Sequence, residues 1–281
     1  MQRLEGKIAV VTGASAGIGA AAARALRSEG ARLILNARRV DRLEALAAET
    51  GGIPVAGDIT EVAVRQRILE ACEGRVDLLV NNAGYGEPGP VETVARDDYR
   101  RQFEVNFFAP AELIRGVLPI MRRQRSGRIV NVSSVAGRFG YPLFGWYCAS
   151  KHALEGLSDA LRMEVRPWGI DVVLIEPGPV ETEFFSVSRS RPGAELDDQD
   201  VYAPFFTHIE EVEREIRKQA TTANKIAEQI RAACVARRPR HRYVSTLMAK
   251  TTIWAVRLMP RRLLDRITER QFRVPGPEGV S

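Results

Sequence analysis

Three side chains near the middle of the chain could do proton chemistry on an oxygen atom. Tyr147 and Lys151 stand four residues apart at the start of a helical run, residues 148–166. At that spacing they rise from one helical face, a turn apart. An ammonium beside a phenol favours the phenolate, so the pairing is expected to lower the pKa of Tyr147 from the ordinary value of about 10. Ser134 lies thirteen residues before Tyr147, just past the apolar run 128–132. A strand ending there would deliver its hydroxyl to the same spot. The trio suits proton transfer to or from a carbonyl or alcohol oxygen. It lacks the acid and base of a hydrolase triad. A Tyr and a Lys four apart on a helix are by themselves an ordinary surface pair, and the upstream sequence gives this pair its weight.

The elements that position such groups read in order from the first residues. Residues 7–11 form a short apolar run that leads into Thr12-Gly13-Ala14-Ser15-Ala16-Gly17-Ile18-Gly19, and an Ala-rich helical stretch continues to Glu29. Strand, glycine turn and helix is the context of a phosphate-cradling loop. Gly13 permits a tight turn. Gly17 and Gly19 keep Cβ atoms away from a pyrophosphate. Residues 32–36 read as a second strand, followed by Ala37-Arg38-Arg39 instead of the acidic residue that takes an adenosine ribose hydroxyl. Arg38 is expected to bind a 2′-phosphate, which favours NADP over NAD. Arg39 is expected to begin a solvated helix, residues 40–50.

A third strand at 53–56 ends near Asp58, which either caps the helix 61–72 or meets an adenine amino group. A fourth at 76–80 ends in Asn81-Asn82-Ala83-Gly84, small residues and amides suited to close backbone approach. Residues 97–124 read as one long helix with Asn106 inside it, placed to satisfy a neighbouring carbonyl or to hold a water that links Lys151 to solvent. A sixth strand, 170–175, runs into the turn Glu176-Pro177-Gly178-Pro179. This cadence predicts an α/β fold, a doubly wound parallel sheet of about seven strands with helices on both faces. Ligands should lie beyond the carboxyl ends of the strands.

Composition narrows the class. Of 281 residues 45% are hydrophobic and 27% charged, which fits a globular α/β domain. Residues 1–6 show no leader pattern, and no spanning helix is expected. Cys72, Cys148 and Cys234 are scattered, as are the three histidines, so buried or idle thiols in a reducing cytoplasm and no metal site are expected. The net charge of +6 is uneven. Residues 237–273 carry eleven Lys/Arg against Asp265 and Glu269, a net of +9, which leaves −3 for the remainder. This is a near-neutral body with a basic end, and no nucleic-acid recognition module accompanies the charge.

Taken together, these motifs resemble the short-chain dehydrogenase/reductase family across residues 5–185. T-G-x-x-x-G-x-G matches Thr12–Gly19, N-N-A-G matches Asn81–Gly84, the catalytic tetrad matches Asn106, Ser134, Tyr147 and Lys151, and the P-G turn matches Pro177-Gly178. The stretches 147–157 and 175–182 resemble the hydroxysteroid and retinol dehydrogenase branch. The resemblance implies hydride exchange at the nicotinamide, with Tyr147 as general acid or base and Ser134 holding the substrate oxygen. Lys151 would lower the phenol's pKa and bind the nicotinamide ribose, and Asn106 would anchor a relay water. It also implies NADP(H) contacts from Gly13, Ser15, Ala16, Gly17, Ile18, Gly19, Arg38, Asp58, Ile59, Asn82, Ala83, Gly84, Tyr147, Lys151, Pro177, Gly178, Val180 and Thr182.

The expected organisation is one domain, residues 1–273, with a substrate lid at 183–223, basic C-terminal helices at 237–273 and a flexible tail at 274–281. Tyr85, Phe139, Tyr141, Phe144, Phe184, Phe185, Tyr202, Phe205 and Phe206 are candidates for an apolar cleft that takes a carbonyl or alcohol on a bulky apolar skeleton. Several of them also suit the core. The basic end has three readings: pocket and subunit-contact helices, an interfacial helix touching anionic lipid at a membrane periphery, and, last, nucleic-acid binding. By resemblance the chain forms a homodimer or homotetramer through helices 97–124 and 148–166. The rival from another class is a non-catalytic NADP-binding scaffold or sensor, which needs no complete Asn-Ser-Tyr-Lys set.

Overall fold

A computed structural model describes residues 2–183, 202–206 and 209–275. The strands are β1 (Ile8–Thr12), β2 (Arg32–Ala37), β3 (Ile53–Ala56), β4 (Leu78–Asn81), β5 (Gly127–Val132), β6 (Ile170–Glu176), β7 (Val180–Glu181), β8 (Thr221–Thr222) and β9 (Arg242–Val244). Between them run α1 (Gly17–Ser28), α2 (Val40–Thr50), α3 (Val62–Ala71), α4 (Arg96–Phe103), α5 (Ala109–Gln124), α6 (Gly145–Val165), α7 (Ala203–Phe206), α8 (Ile209–Lys218), α9 (Ala223–Val235), α10 (Leu247–Leu258) and α11 (Arg261–Gln271).

Seven strands form one parallel sheet in the order β3-β2-β1-β4-β5-β6-β9, and β7 and β8 pair separately. The order reverses at β1, so the crevice beyond the ends of β1 and β4 is the place this winding opens for a ligand. Strand periodicity explains the two cores. Ala9 and Val11 face the layer built with α1, α2 and α9, while Ile8 and Val10 face the layer built with α3, α5 and α6. Every residue of β1 is buried, as expected of a central parallel strand covered on both sides. Ala20 to Ala23 are buried on α1, and their small side chains let that helix sit close to α9.

Sequence and structure differ at two places in the fold. The expected single helix 97–124 is two helices joined by a π turn, Glu104–Phe108, with Asn106 buried in it. Pro110 has no N–H, so it cannot close the α-helical bond back to the Asn106 carbonyl, and the wider turn accommodates the gap. The β7–β8 pair was not expected, because two-residue strands leave no periodic signal. Phe184, Phe185 and the tail beyond residue 275 lie outside the described residues. Within the expected lid, α7, α8 and β8 are helical or paired.

Candidate active site

The glycine loop is shaped by what crowds it. A Cβ on Gly13, whose φ is +67°, would lie 2.8 Å from Asn82 Nδ2, and one on Gly19 would lie 2.2 Å from the Gly13 carbonyl oxygen. Asn82 Nδ2 donates to the carbonyls of Thr12 and Gly13 at 3.0 and 3.2 Å, and Thr12 Oγ1 accepts from the N–H groups of Asn82 and Ala83. Asn82 and Ala83 therefore hold the loop in place. The residue before α1, Ala16, offers no side-chain cap, so the first N–H groups of this twelve-residue helix are left to a ligand. Thr182 closes the loop from the other side, 3.0 Å from where a Gly17 Cβ would be. Uncapped helix, glycine cradle and nearby arginines are a donor set that fits a dinucleotide phosphate.

At the adenosine end the arginines are distributed otherwise than expected. Arg38 is exposed at the end of β2. Arg39 does not merely start a solvated helix. Its Nε donates to Ser15 Oγ at 3.3 Å, and it shares the Glu183 carboxylate with Arg42, at 2.6 and 2.8 Å. These two arginines pull Glu183 well below the usual carboxylate range, to about 2. Asp58 is not the cap of α3, whose cap residue is Glu61. Its carboxylate accepts from Thr60 N–H at 3.0 Å and pairs with Arg101 of α4. Burial opposes its charge, but those partners together hold the carboxyl below its usual value. Ile59 belongs to the core beneath this turn.

The proton-transfer groups converge. Ser134 follows β5 and caps a short 3₁₀ turn, Val135–Gly137, accepting from Ala136 N–H at 3.1 Å. Its hydroxyl donates to the Pro177 carbonyl at 3.5 Å and draws the pKa of the Tyr147 phenol downward. Lys151 Nζ donates to the Val132 carbonyl at 3.0 Å and lies 5.9 Å from the centre of the Tyr147 ring. A Cβ on Gly84 would be 3.1 Å from Asn106 Oδ1 and 3.4 Å from Lys151 Nζ, so Asn106 and Lys151 border one space, with the Tyr147 ring beside the lysine. The Asn106 amide is occupied: Nδ2 donates to Tyr85 O and Ser150 Oγ, and Oδ1 accepts from Tyr85 N–H. The Pro177 carbonyl accepts from Val135 N–H at 3.0 Å, and Gly178 N–H donates to Ser245 Oγ, which ties the P-G turn to both sides of the site.

Electrostatics depart from expectation here. Burial pushes the Tyr147 phenol up, and Ser134 pulls it back only in part. The lowering expected from Lys151 is not seen, because the same burial acts on the amine. Desolvation brings Lys151 down to about 8, against an opposing pull from Glu155. Helical spacing put the two residues on one face, but their burial comes from the surrounding fold.

The sequence reading also missed a charged cluster below the site. Arg242 on β9 contacts Glu155 at 3.0 Å, Asp159 at 2.7 Å and Glu176 at 2.8 Å, and Arg138 approaches Glu155 and Glu176 at 3.6 and 3.9 Å. Desolvation, then Glu155, raises Glu176 to about 7. The one signal in the sequence was Glu155, one helical turn beyond Lys151.

On the substrate side Ala136, Leu143, Phe144, Tyr147 and Cys148 form a buried cluster, with Tyr141, Phe205 and Phe206 packed against it. Phe139 joins it through Tyr141, and Tyr85 is buried nearby in the chain after β4. Tyr202 packs on Phe205 and donates to Glu92.

Residues 7–193 match the short chain dehydrogenase family model. The chain belongs to that family. A relative in Escherichia coli K12, the uncharacterized oxidoreductase YbbO, is 33% identical over 267 residues, covering 94% of each chain. The NADPH-dependent 3-dehydrocapnine reductase of Ornithobacterium rhinotracheale is 32% identical, covering 93% of this short-chain dehydrogenase and 95% of its own chain. A Burkholderia phymatum short chain dehydrogenase/reductase solved with NAD superposes with a TM-score of 0.78 at 30% identity, over 99% of each chain. This family member is thus an oxidoreductase of Rossmann-like fold, with one relative named as NADPH-dependent and another solved in complex with NAD. Among its described residues no helix is long and apolar enough to cross a membrane.

Proposed function

We propose that this short-chain dehydrogenase reduces a ketone or aldehyde on an apolar substrate with NADP(H), Tyr147 acting as general acid. The observation that carries the reading is the juxtaposition of Tyr147 and Lys151, the amine 5.9 Å from the phenol ring, with Ser134 acting on the same phenol and the glycine loop across the crevice. Bound nicotinamide would supply the hydride. The chain supplies the rest. Ser134 Oγ would hold the carbonyl oxygen, and Tyr147 would give that oxygen its proton. Lys151 would bind the nicotinamide ribose and restore the proton through a relay that reaches the main chain at Asn106. The Asn106 side chain is committed to Tyr85 and Ser150, so its carbonyl, which Pro110 cannot engage, is the atom assigned to a relay water.

Arg39 and Arg42, gathered beside Ser15 and Glu183 with Arg38 next to them, would take a 2′-phosphate, which supports NADP over NAD. Gly13, Ala16, Gly17, Ile18, Gly19 and Thr182 would take the pyrophosphate, and Gly84, Pro177, Gly178 and Val180 the nicotinamide side. The aromatic cluster around Tyr147 supports an apolar substrate, and a relative named for 3-dehydrocapnine reduction is consistent with a keto group. Phe108 and Met163, exposed on the segments expected to meet a second copy, support a homodimer or homotetramer. Three buried unpaired cysteines support a cytoplasmic enzyme.

The test is Tyr147→Phe. NADPH oxidation with a panel of apolar ketones and aldehydes should fall by a factor of ~10³ or more, while NADPH binding by calorimetry is unchanged. Unchanged turnover would refute the assignment.

A further inference from the structure

We infer that the hairpin of α10 and α11 is a docking surface for anionic lipid. Eleven large apolar side chains stand exposed among the described residues, and six of them are on this hairpin: Leu247, Met248, Trp254, Leu258, Leu263 and Ile267. Their placement is ordered. Leu247, Thr251, Trp254 and Leu258 follow helical spacing along one face of α10, and Leu247, Trp254 and Leu258 are 77%, 62% and 72% exposed. Leu263 and Ile267 repeat the pattern one turn apart on α11. Basic residues flank the stripe. Residues 247–271 carry six Lys/Arg against Asp265 and Glu269, a net of +4. Apolar stripe, tryptophan and cationic borders on helices of twelve and eleven residues describe an element that lies in a lipid interface.

Charge selects the occupant. A second copy of the chain would bring another +4 to the same patch, so self-association there is opposed, whereas an anionic headgroup layer complements it. The inner side of the hairpin is fixed to the active site at both ends. Before α10, Ser245 accepts from the Gly178 N–H at 3.0 Å, and buried Ala249 faces that same turn. After α11, Phe272 stacks on Tyr141 at 5.1 Å, and Tyr141 leads through Phe144 to Tyr147. A lipid surface on the outer stripe would therefore border the apolar cluster beside the catalytic tyrosine. The binding surface stands without the reductase reading. Its use in loading an apolar substrate from the bilayer rests on that reading.

The experiment is co-sedimentation of the full chain with vesicles of phosphatidylcholine alone or of equal parts phosphatidylcholine and phosphatidylglycerol, at low and high salt. The protein should bind the mixed vesicles at low salt, with a blue shift of tryptophan emission, and lose at least about tenfold in affinity at high salt or without phosphatidylglycerol. Trp254→Ser with Leu258→Ser, and separately Arg262→Glu with Arg266→Glu, should each weaken binding by about tenfold or more while melting temperature stays unchanged. Both pairs lie on the exposed surface, so the charge variant gives an independent reading should the apolar one fold poorly. Absence of binding, binding indifferent to phosphatidylglycerol, or a dimer in sedimentation velocity that Trp254→Ser dissociates would overturn the inference. None of these readouts involves cofactor or turnover, so failure here and failure of the reductase assignment are separable.

Discussion

Replacing Lys151 by methionine should stabilise the ligand-free protein near pH 7 and abolish its activity. The amine is buried, its one hydrogen bond is to the Val132 carbonyl, and desolvation has moved it from 10.5 down to about 8. A tenfold change in proton affinity is ~1.4 kcal/mol, so the charged lysine costs the folded state about 3 kcal/mol at neutral pH. Methionine has nearly the same shape and removes that cost, while losing the hydrogen bond forfeits about 1 kcal/mol. The net expectation is about 2 kcal/mol in favour of Lys151→Met. The sign reverses with pH. Below the folded value of about 8 the lysine is charged in both states and carries the whole cost. Between about 8 and 10.5 the folded protein releases the proton first, so wild-type stability from this group rises with pH. The two proteins should become equally stable close to pH ~10, where the residual cost matches the hydrogen bond. Urea unfolding of both proteins without cofactor, near pH 7 and near pH 9.5, measures the difference directly. A methionine variant that is less stable near neutrality, or a difference that does not shrink with pH, refutes the argument.

Three further outcomes follow from named contacts. Gly19→Ala places a Cβ 2.2 Å from the Gly13 carbonyl oxygen. It should cost roughly 1–3 kcal/mol in urea unfolding and weaken NADPH in calorimetry by tenfold or more. Glu183→Gln frees Arg39 and Arg42 from a carboxylate in a half-exposed cluster. Stability should change by less than about 1 kcal/mol, while NADPH binds several-fold tighter in fluorescence titration. An equal gain for NADH would show that the 2′-phosphate is not what the arginines read. Arg242→Met strips three carboxylates of their shared cation and should destabilise by about 3 kcal/mol. Glu176 is raised to about 7 from 4.5, so its contribution to stability already falls as pH rises between those values. The variant should extend that fall to higher pH, read as a larger loss of melting temperature near pH 8 than near pH 5.

The parts of this molecule legible in its sequence are those fixed by local rules. The buried strands β1, β2 and β6 announce themselves as apolar runs, and Gly13 and Gly19 mark positions where a Cβ would strike backbone. Tyr147 and Lys151 share a helix, so spacing alone placed them together. What spacing could not supply was solvent exclusion, which comes from residues far along the chain and reverses the expected shift of Tyr147. The π turn had a readable cause in Pro110, four residues after Asn106, but its consequence for the amide depended on Tyr85 and Ser150. Arg39 was misjudged because an exposed arginine leaves no periodic trace, and its partner Glu183 is 144 residues away. The Arg242 cluster joins β9, β6 and α6, and only the fold brings those together.

On the proposed function, the burial of Tyr147 and Lys151 would favour reduction. Desolvation disfavours charge on both, so the ligand-free enzyme holds a neutral phenol and an amine near the edge of losing its proton. A neutral phenol can give a proton at once but cannot accept one. Reduction, in which the carbonyl oxygen must be protonated, therefore starts from the resting form of Tyr147. Oxidation needs the phenolate first, and Glu155 helps by keeping Lys151 charged against the desolvation that would discharge it. The Arg242 cluster in turn holds Glu155 in place, at 3.0 Å. On the proposed function, a carboxylate one turn past the lysine would bear on the reverse reaction without touching the substrate oxygen.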